Sequence, residues 1–274
     1  GGGMKSIHRF YIFILLISSF ILSQDSIQSM VDAAADGDNV EVPSGTYNES
    51  ISISKSISLT CSGDCTIDAS DLGYGIDISA TDVSVSGFEV IGNENTISGI
   101  TVGPGSSNVL IEGNVVHGMT LSNLNLSPAS YGVLVWGADD VGNITIQNNE
   151  IYGTNLFGIS IGEFVENVTI SNNYIHDLVP IVATPNELAA IILGLDLGLE
   201  YDPEWWADIL GDSGLSMEQE YSISVGIFSP ATNDINVSGN SFENLGMGVV
   251  SIISLGSFIG NDFDNVSIIA LDTN

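Results

Sequence analysis

Cationic side chains are almost missing from this chain. Its 274 residues include 34 Asp and Glu but only three Lys and Arg: Lys5, Arg9 and Lys55. Charged residues make up 14%, well under the roughly 25% of ordinary globular chains, so the imbalance is a shortage of cations rather than a surplus of acids. That shortage excludes a nucleic-acid surface, because phosphate contacts need Lys or Arg to release counterions. It equally excludes an arginine clamp on an anionic ligand. Long apolar runs are scarce as well, since only residues 10–22 form one. At about 13 residues that run is shorter than the roughly 20 needed to span a bilayer. Disorder is excluded in turn, because 44% hydrophobic residues and 31 glycines do not make an acidic tail, and a chain this long can bury a large core.

The apolar run follows Lys5 and Arg9 and precedes Ser23, Gln24 and Asp25, the charge order of a secretory signal. Gly1 to Gly3 read as a leader or cloning scar, residues 4–24 as the signal, and residues 25–274 as one domain. That domain holds one Lys against 34 acids, a net charge of −33, and no Arg. The only cysteines, Cys61 and Cys65, read as a small disulfide-closed loop in an exported protein. Asp64 is the only neighbour that would help them as a metal pair, and no second ligand pair exists.

Internal repetition is the main signal. Segments starting at Asn108, Asn143, Asn167 and Asp234 each give a short alternating strand, a polar turn and a second short strand. Two columns run through them. Asn114, Asn149, Asn173, Asn240 and Asn261 occupy the turn, with Phe88 at the matching place one repeat earlier. Gly75, Gly99, Gly132, Gly158, Gly226 and Gly248 open the next strand. Strands of three to five residues bury themselves best in a coil stacked on similar coils. Stacking sets Asn over Asn about 4.8 Å apart, where amides can bond along the column and Asn tolerates a left-handed turn. The expected fold is a parallel β-helix.

With these features the chain resembles the right-handed parallel β-helix proteins of the pectate-lyase-like superfamily over residues 25 to 274. The opening from Ser26 to Tyr47 is similar to their usual entry. The resemblance implies an all-β solenoid whose first coil is capped by an amphipathic helix, here with Ile27, Met30, Val31 and Ala34 as its apolar stripe after an Asp25 cap. It leaves activity open, because the superfamily hosts lyases, hydrolases, epimerases, adhesins and surface proteins. The pectate-lyase mechanism needs clustered carboxylates for calcium and a basic residue as base, and the domain offers only Lys55. Polygalacturonase-like sites need an Arg-x-Lys that is absent here, and Asp139-Asp140 follows His117-Gly118 out of order.

Two intervals break the repeat: Asn114 to Gly132 and Asn173 to Gly226. Insertions at about 118–130 and 177–222 therefore project from one side, and such a side is the usual binding face of a solenoid. In the longer insertion, Thr184-Pro-Asn-Glu187 reads as a capping box, and Asp202 to Gly211 repeats that logic, so a helical insertion is expected, carrying Trp205 and Trp206. These tryptophans read either as packing anchors or, with Trp136, as a sugar-stacking platform. Two residues after each glycine an outward ladder is expected, Asp77, Thr101, Leu134, Ser160, Phe228 and Val250, in which Phe228 is a substrate-contact candidate. Asp140 and Glu166 each lie eight residues after a glycine and are expected to stack near 5 Å, with Asp139 and Glu163 as substitutes. Such a group suits a retaining glycosidase pair, a shared proton or a calcium site; solvated turn acids are the plain alternative. His117 and His176 hold equivalent positions with Tyr152 between them, which makes a zinc site unsuited and polar caps the default. Of the six sequons, at Asn48, Asn125, Asn143, Asn167, Asn236 and Asn265, three restate the strand pattern of the repeat, while Asn48 and Asn125 fall in expected loops.

Three functions follow as expectations. The first is a secreted or cell-surface protein that binds a glycan or other surface component along the insertion-walled face, without lyase chemistry. The second is a glycosidase of neutral polysaccharides using Asp140 and Glu166. The third is a structural protein self-associating end to end, because no cap is evident after Val266.

Overall fold

A computed structural model describes residues 25–120, 129–138, 140–184, 187, 219–252 and 254–272. Short strands stack in parallel to build three sheets wound as one β-helix. The first sheet runs through Ile51–Ile53, Tyr74–Ile78, Ser98–Val102, Ser130–Val135, Leu156–Ile161 and Val225–Pro230 into the second halves of Ser241–Ile252 and Asp262–Asp272. The second includes Ser107–Glu112, Gly142–Gln147, Glu166–Ser171 and Asn233–Ser238, and the third Val115–His117, Glu150–Tyr152 and Tyr174–His176. Among the described strands one pair is antiparallel, Ile181–Ala183 with Tyr221–Ile223, at the root of the longer insertion.

Alternation fills the coil. Ile144 and Ile146, with their neighbours Val109, Ile111, Val168 and Ile170, are buried in one continuous core, and the alternate residues such as Thr145 look outward. Each turn between the second and third sheets buries an asparagine: Asn114, Asn149, Asn173 and Asn240 are 1 to 2% exposed. The side-chain oxygen of each accepts from the backbone N–H of the previous coil, at 2.9 to 3.0 Å from Phe88 to Asn261. The amide nitrogens donate back to carbonyls such as Ile111 and Ile146. The left-handed conformation expected of these asparagines falls instead on the residue before them, Gly87, Gly113, Asn148, Asn172, Gly239 or Gly260, with φ between 55° and 81°. That residue turns the corner, and the asparagine stitches it. Cys65 pairs with Phe88 and so occupies the same column at its N-terminal end, bonded to Cys61 in the anticipated disulfide.

The glycine column has a different cause. A Cβ at Gly158 would lie 2.7 Å from the Gly226 carbonyl oxygen and 2.8 Å from Ile175 Cγ2, and the same collision recurs from Gly75 to Gly226. None of these glycines has positive φ; each leaves room for an interior side chain of the third sheet. They stand second or third in their strands rather than first.

The first coil is closed by helix α1, Ile27–Ala33, with Ile27 and Val31 buried. Its N-cap is Ser26, accepting from the Ser29 N–H, rather than the expected Asp25. The carboxylate of Glu49 accepts from the Ile27 and Gln28 N–H groups at 2.7 and 3.2 Å, so an anion from the coil below completes the positive helix end. At the other end Lys55 Nζ donates to the carbonyls of Val31, Asp32 and Ala34 at 3.3, 2.6 and 2.7 Å. The one cation of the domain is thereby committed to capping a helix C-terminus. In the longer insertion, Thr184 and Glu187 make the reciprocal bonds of the expected capping box, at 2.8 to 3.2 Å. The helices expected beyond Glu187 and from 202 to 211 lie outside the described residues. Among the described residues no helix is long and apolar enough to cross a membrane.

Replacing Asn173 with Ala removes the acceptor of the buried Asn149 N–H, while the Asn240 side-chain oxygen keeps the residue 173 N–H, and destabilises the fold by about 1–3 kcal/mol, the cost of one unsatisfied group. Asn261→Ala, at the less buried end of the column, costs about half as much. Urea unfolding midpoints check both. Lys55→Met uncaps α1 and costs about 1–2 kcal/mol, read the same way.

Candidate functional site

Register places the expected outward ladder as anticipated: Asp77 pairs with Thr101, Thr101 with Leu134, Leu134 with Ser160, Ser160 with Phe228 and Phe228 with Val250. The ladder is not an open floor. Phe228 is fully buried, its ring tilted at 34° and 5.4 Å from that of Phe157, which in turn stacks on Tyr131, so its expected role as an exposed substrate contact does not hold. These rings form an apolar layer on the outer face of the first sheet.

The open part of this face lies where its strands end. Trp136 follows Val135 at the same outward parity as Leu134 and is 40% exposed. The Trp136 N–H donates to Val102 and the Gly162 N–H to Val135, which sets Trp136 between Gly103 and Gly162 of the adjacent coils. Neither neighbour has a side chain to cover the indole. Contact here is backbone on backbone, since a Cβ at Gly137 would stand 2.5 Å from the Glu163 nitrogen. Two residues upstream on the flanking strands, Thr101 Oγ1 and Ser160 Oγ are buried yet find no hydrogen-bond partner among the described residues. A buried hydroxyl without a partner is uncommon in folded proteins. Phe164, in the next turn, is 54% exposed and holds φ at 63°, a conformation costly for a bulky residue and found preferentially at functional sites. Nothing in its sequence context signals it.

The expected carboxylate pair does not assemble. Glu166 pairs with Gly142, not with Asp140, because Gly132 reaches the second sheet after ten residues and Gly158 after eight. Two extra residues in the turn at 137–141 shift Asp140 out of the stack. Its Oδ2 lies 3.8 Å from where a Cβ of Gly105 would be, in the preceding coil, while Glu166 belongs to the following one. Glu163 is 9% exposed. Asp139, Trp205 and Trp206 lie outside the described residues. Among those described, no three His, Cys, Asp or Glu converge as a metal site, so the calcium group expected of Asp139, Asp140, Glu163 and Glu166 is not assembled from its described members.

On the same outer face, Asp77 stands next to Thr101. It is half-buried, makes no hydrogen bond or ion pair among the described residues, and burial holds its carboxyl above the usual carboxylate range. Its Oδ1 lies 4.0 Å from a Cβ position on Gly103, the glycine beside Trp136.

The third sheet carries a second polar cluster. His117, Tyr152 and His176 pair in register and stack at 4.6 and 5.1 Å, with Tyr174 4.1 Å from His176. Carboxylates cross between coils to meet them: Glu89 to His117 at 3.3 Å and Glu150 to His176 at 3.2 Å, with Asp177 on the other nitrogen of His176 at 2.9 Å. Tyr174 donates to Glu243 at 2.5 Å, which pushes its phenol up to about 12 and keeps it a donor. The Thr66 hydroxyl, then His117, hold Glu89 below its ordinary value, and His176, then Asn244, do the same for Asp177. Every member is partnered, so this face is a stitching network rather than a vacant site.

No family model matches the sequence, and no curated protein does. Among solved structures the chain is similar to an alginate lyase from Paenibacillus sp. str. FPU-7, at 12% identity and a TM-score of 0.42, over 90% of this chain and 96% of that one. It is also similar to a 1,3-alpha-1,4-beta-D-galactose-4-sulfate-3,6-anhydro-D-galactose-2-sulfate 4 galactohydrolase, at 15% and 0.49, over 84% and 56% of the two chains. PfbA, a surface adhesin of Streptococcus pneumoniae, matches at 12% and 0.36, over 90% and 88%. None of these likenesses bears on what the chain does. The parallel β-helix rests on the chain's own strand pairing.

The depressed carboxyls give the network a pH signature. A carboxylate whose folded value lies below its unfolded one contributes stability above the unfolded value, about 4, and loses it as pH falls through the folded value. Thermal unfolding from pH 6 to pH 2 is therefore expected to show a falling Tm below about pH 4. Glu89→Gln and Asp177→Asn start lower at pH 6 and decline less steeply.

Proposed function

We propose that this is a secreted or cell-surface β-helix protein that binds a neutral glycan at the edge of its first sheet, around Trp136. The observation that carries this reading is the uncovered indole of Trp136 between Gly103 and Gly162. An aromatic face backed by a few polar groups is what a pyranose ring requires: its C–H face packs on the ring, and its hydroxyls exchange hydrogen bonds with the rim. Phe164 extends the apolar strip to the next coil, and Asp140 adds an acceptor.

Charge selects neutral sugars over uronates or sulfated chains. Lys55 is spent on α1, no Arg follows Arg9, and both histidines of the domain are held by carboxylates on another sheet. Nothing at the edge can neutralise an anionic polymer. Export is supported by the Lys5, Arg9 and residue 10–22 pattern, and by the Cys61–Cys65 disulfide, which persists in oxidising compartments.

Affinity electrophoresis in gels containing neutral glucans, mannans, xylans or galactans tests the reading. At least one polymer is expected to retard the protein, and Trp136→Ala to weaken retention about tenfold or more, the usual cost of losing an aromatic anchor. Retention by none of them, or undiminished retention of the variant, sinks it.

A further inference from the structure

The sequon asparagines meet different fates in the folded coil. Asn143 and Asn167 face each other on paired strands of the second sheet, both at left-handed φ, and the Asn167 Nδ2 donates to the Asn143 Oδ1 at 3.3 Å. Asn236, inside Asn233–Ser238, lies between Thr169 and Ser257 and accepts from the Ser257 hydroxyl. Asn265 donates to the Asn244 Oδ1 at 2.8 Å. Asn125 lies outside the described residues. Among those described, Asn48 alone is exposed with its side chain free of any hydrogen bond. It stands in the turn from Gly45–Tyr47 of the third sheet to Ile51–Ile53 of the first. Glu49 fixes that turn, because its carboxylate is committed to the Ile27 and Gln28 N–H groups of α1. The residues on either side of it, Asn48 and Ser50, are thereby left exposed, and they are the amide and the hydroxyl of one Asn-x-Ser sequon.

We propose that Asn48 is an N-glycosylation site, modified as the chain is exported; this rests on the secretion reading above. The donor is an oligosaccharide carried on a lipid diphosphate, and the transferase belongs to the secreting cell. The Asn48 Nδ2 bonds to the anomeric carbon as the bond from that carbon to the diphosphate oxygen breaks. The lipid diphosphate leaves with the bonding electrons, and Nδ2 gives up one proton. An attached glycan is bulky and soluble, so it requires a surface position. At Asn48 the fold surrenders no side-chain bond to accommodate it. At Asn167 and Asn265 the same nitrogen is already a donor to a neighbouring coil, and a sugar on Asn236 would crowd Thr169 and Ser257 at strand spacing, about 4.8 Å. The Asn48 turn opens a first-sheet strand, whereas Trp136 follows the end of one three coils further on, so the glycan leaves the Trp136 edge free.

The chain from Met4 onward is produced in eukaryotic cells that N-glycosylate, with residues 4–24 as its only export signal. Protein from the medium is mapped by peptide mass spectrometry before and after peptide:N-glycosidase treatment. The peptide containing Asn48 is expected to carry a glycan, and the glycosidase to leave Asp at that position. Asn48→Gln and Ser50→Ala are each expected to lose this one glycan, and Ser50→Thr to keep it, since Thr serves the sequon as Ser does. An unmodified Asn48 in the exported protein, or a glycan at Asn48 that survives Ser50→Ala, overturns the site and leaves the secretion reading standing. A chain held inside the cells overturns the secretion reading and the modification with it.

Discussion

Each coil of this protein is too thin to bury anything alone, and the structure depends on coils lying on one another at the spacing of paired strands. The buried asparagine column enforces that spacing. Every corner between the second and third sheets would otherwise carry an unpaired N–H into the core, and the side chain of the next coil's asparagine satisfies it. Because the same amide donates to a carbonyl in the preceding coil, loss of one asparagine disturbs three coils. The N-terminal end of the column is finished by Phe88 and by the Cys61–Cys65 loop instead.

The shortage of cations shapes what the remaining surface can do. Once Lys55 caps α1, the described residues hold no further Lys or Arg, so His117 and His176 substitute as partners for carboxylates on the third sheet. The first-sheet edge offers an indole and uncharged or acidic oxygens, the groups on which the proposed binding of a neutral polymer rests, and such a surface repels an anionic one.

Local departures from the repeat, rather than the repeat itself, make the edge. Gly103, Gly137 and Gly162 let turns of adjacent coils touch through their backbones and leave Trp136 uncovered. The two additional residues before Gly142 carry Asp140 away from Glu166 and toward Gly105.

The parallel coil, its asparagine and glycine columns, the capping helix and the disulfide were legible in the sequence, because identical coils repeat the same local environment and so leave a period. Trp136 was legible too, as an aromatic at a strand end. Phe164 was not, nor was the partial burial of Asp77 at its expected place in the outward ladder, and Phe228 was misplaced on the surface. Exposure, partnering and burial at such positions depend on which neighbours the adjacent coils supply, and turn length shifts those neighbours without altering the period. The sequence determined how the coils stack; only the tertiary structure decided which side chains that stacking leaves uncovered and unpaired, because those are properties of contacts between coils and not of any one of them.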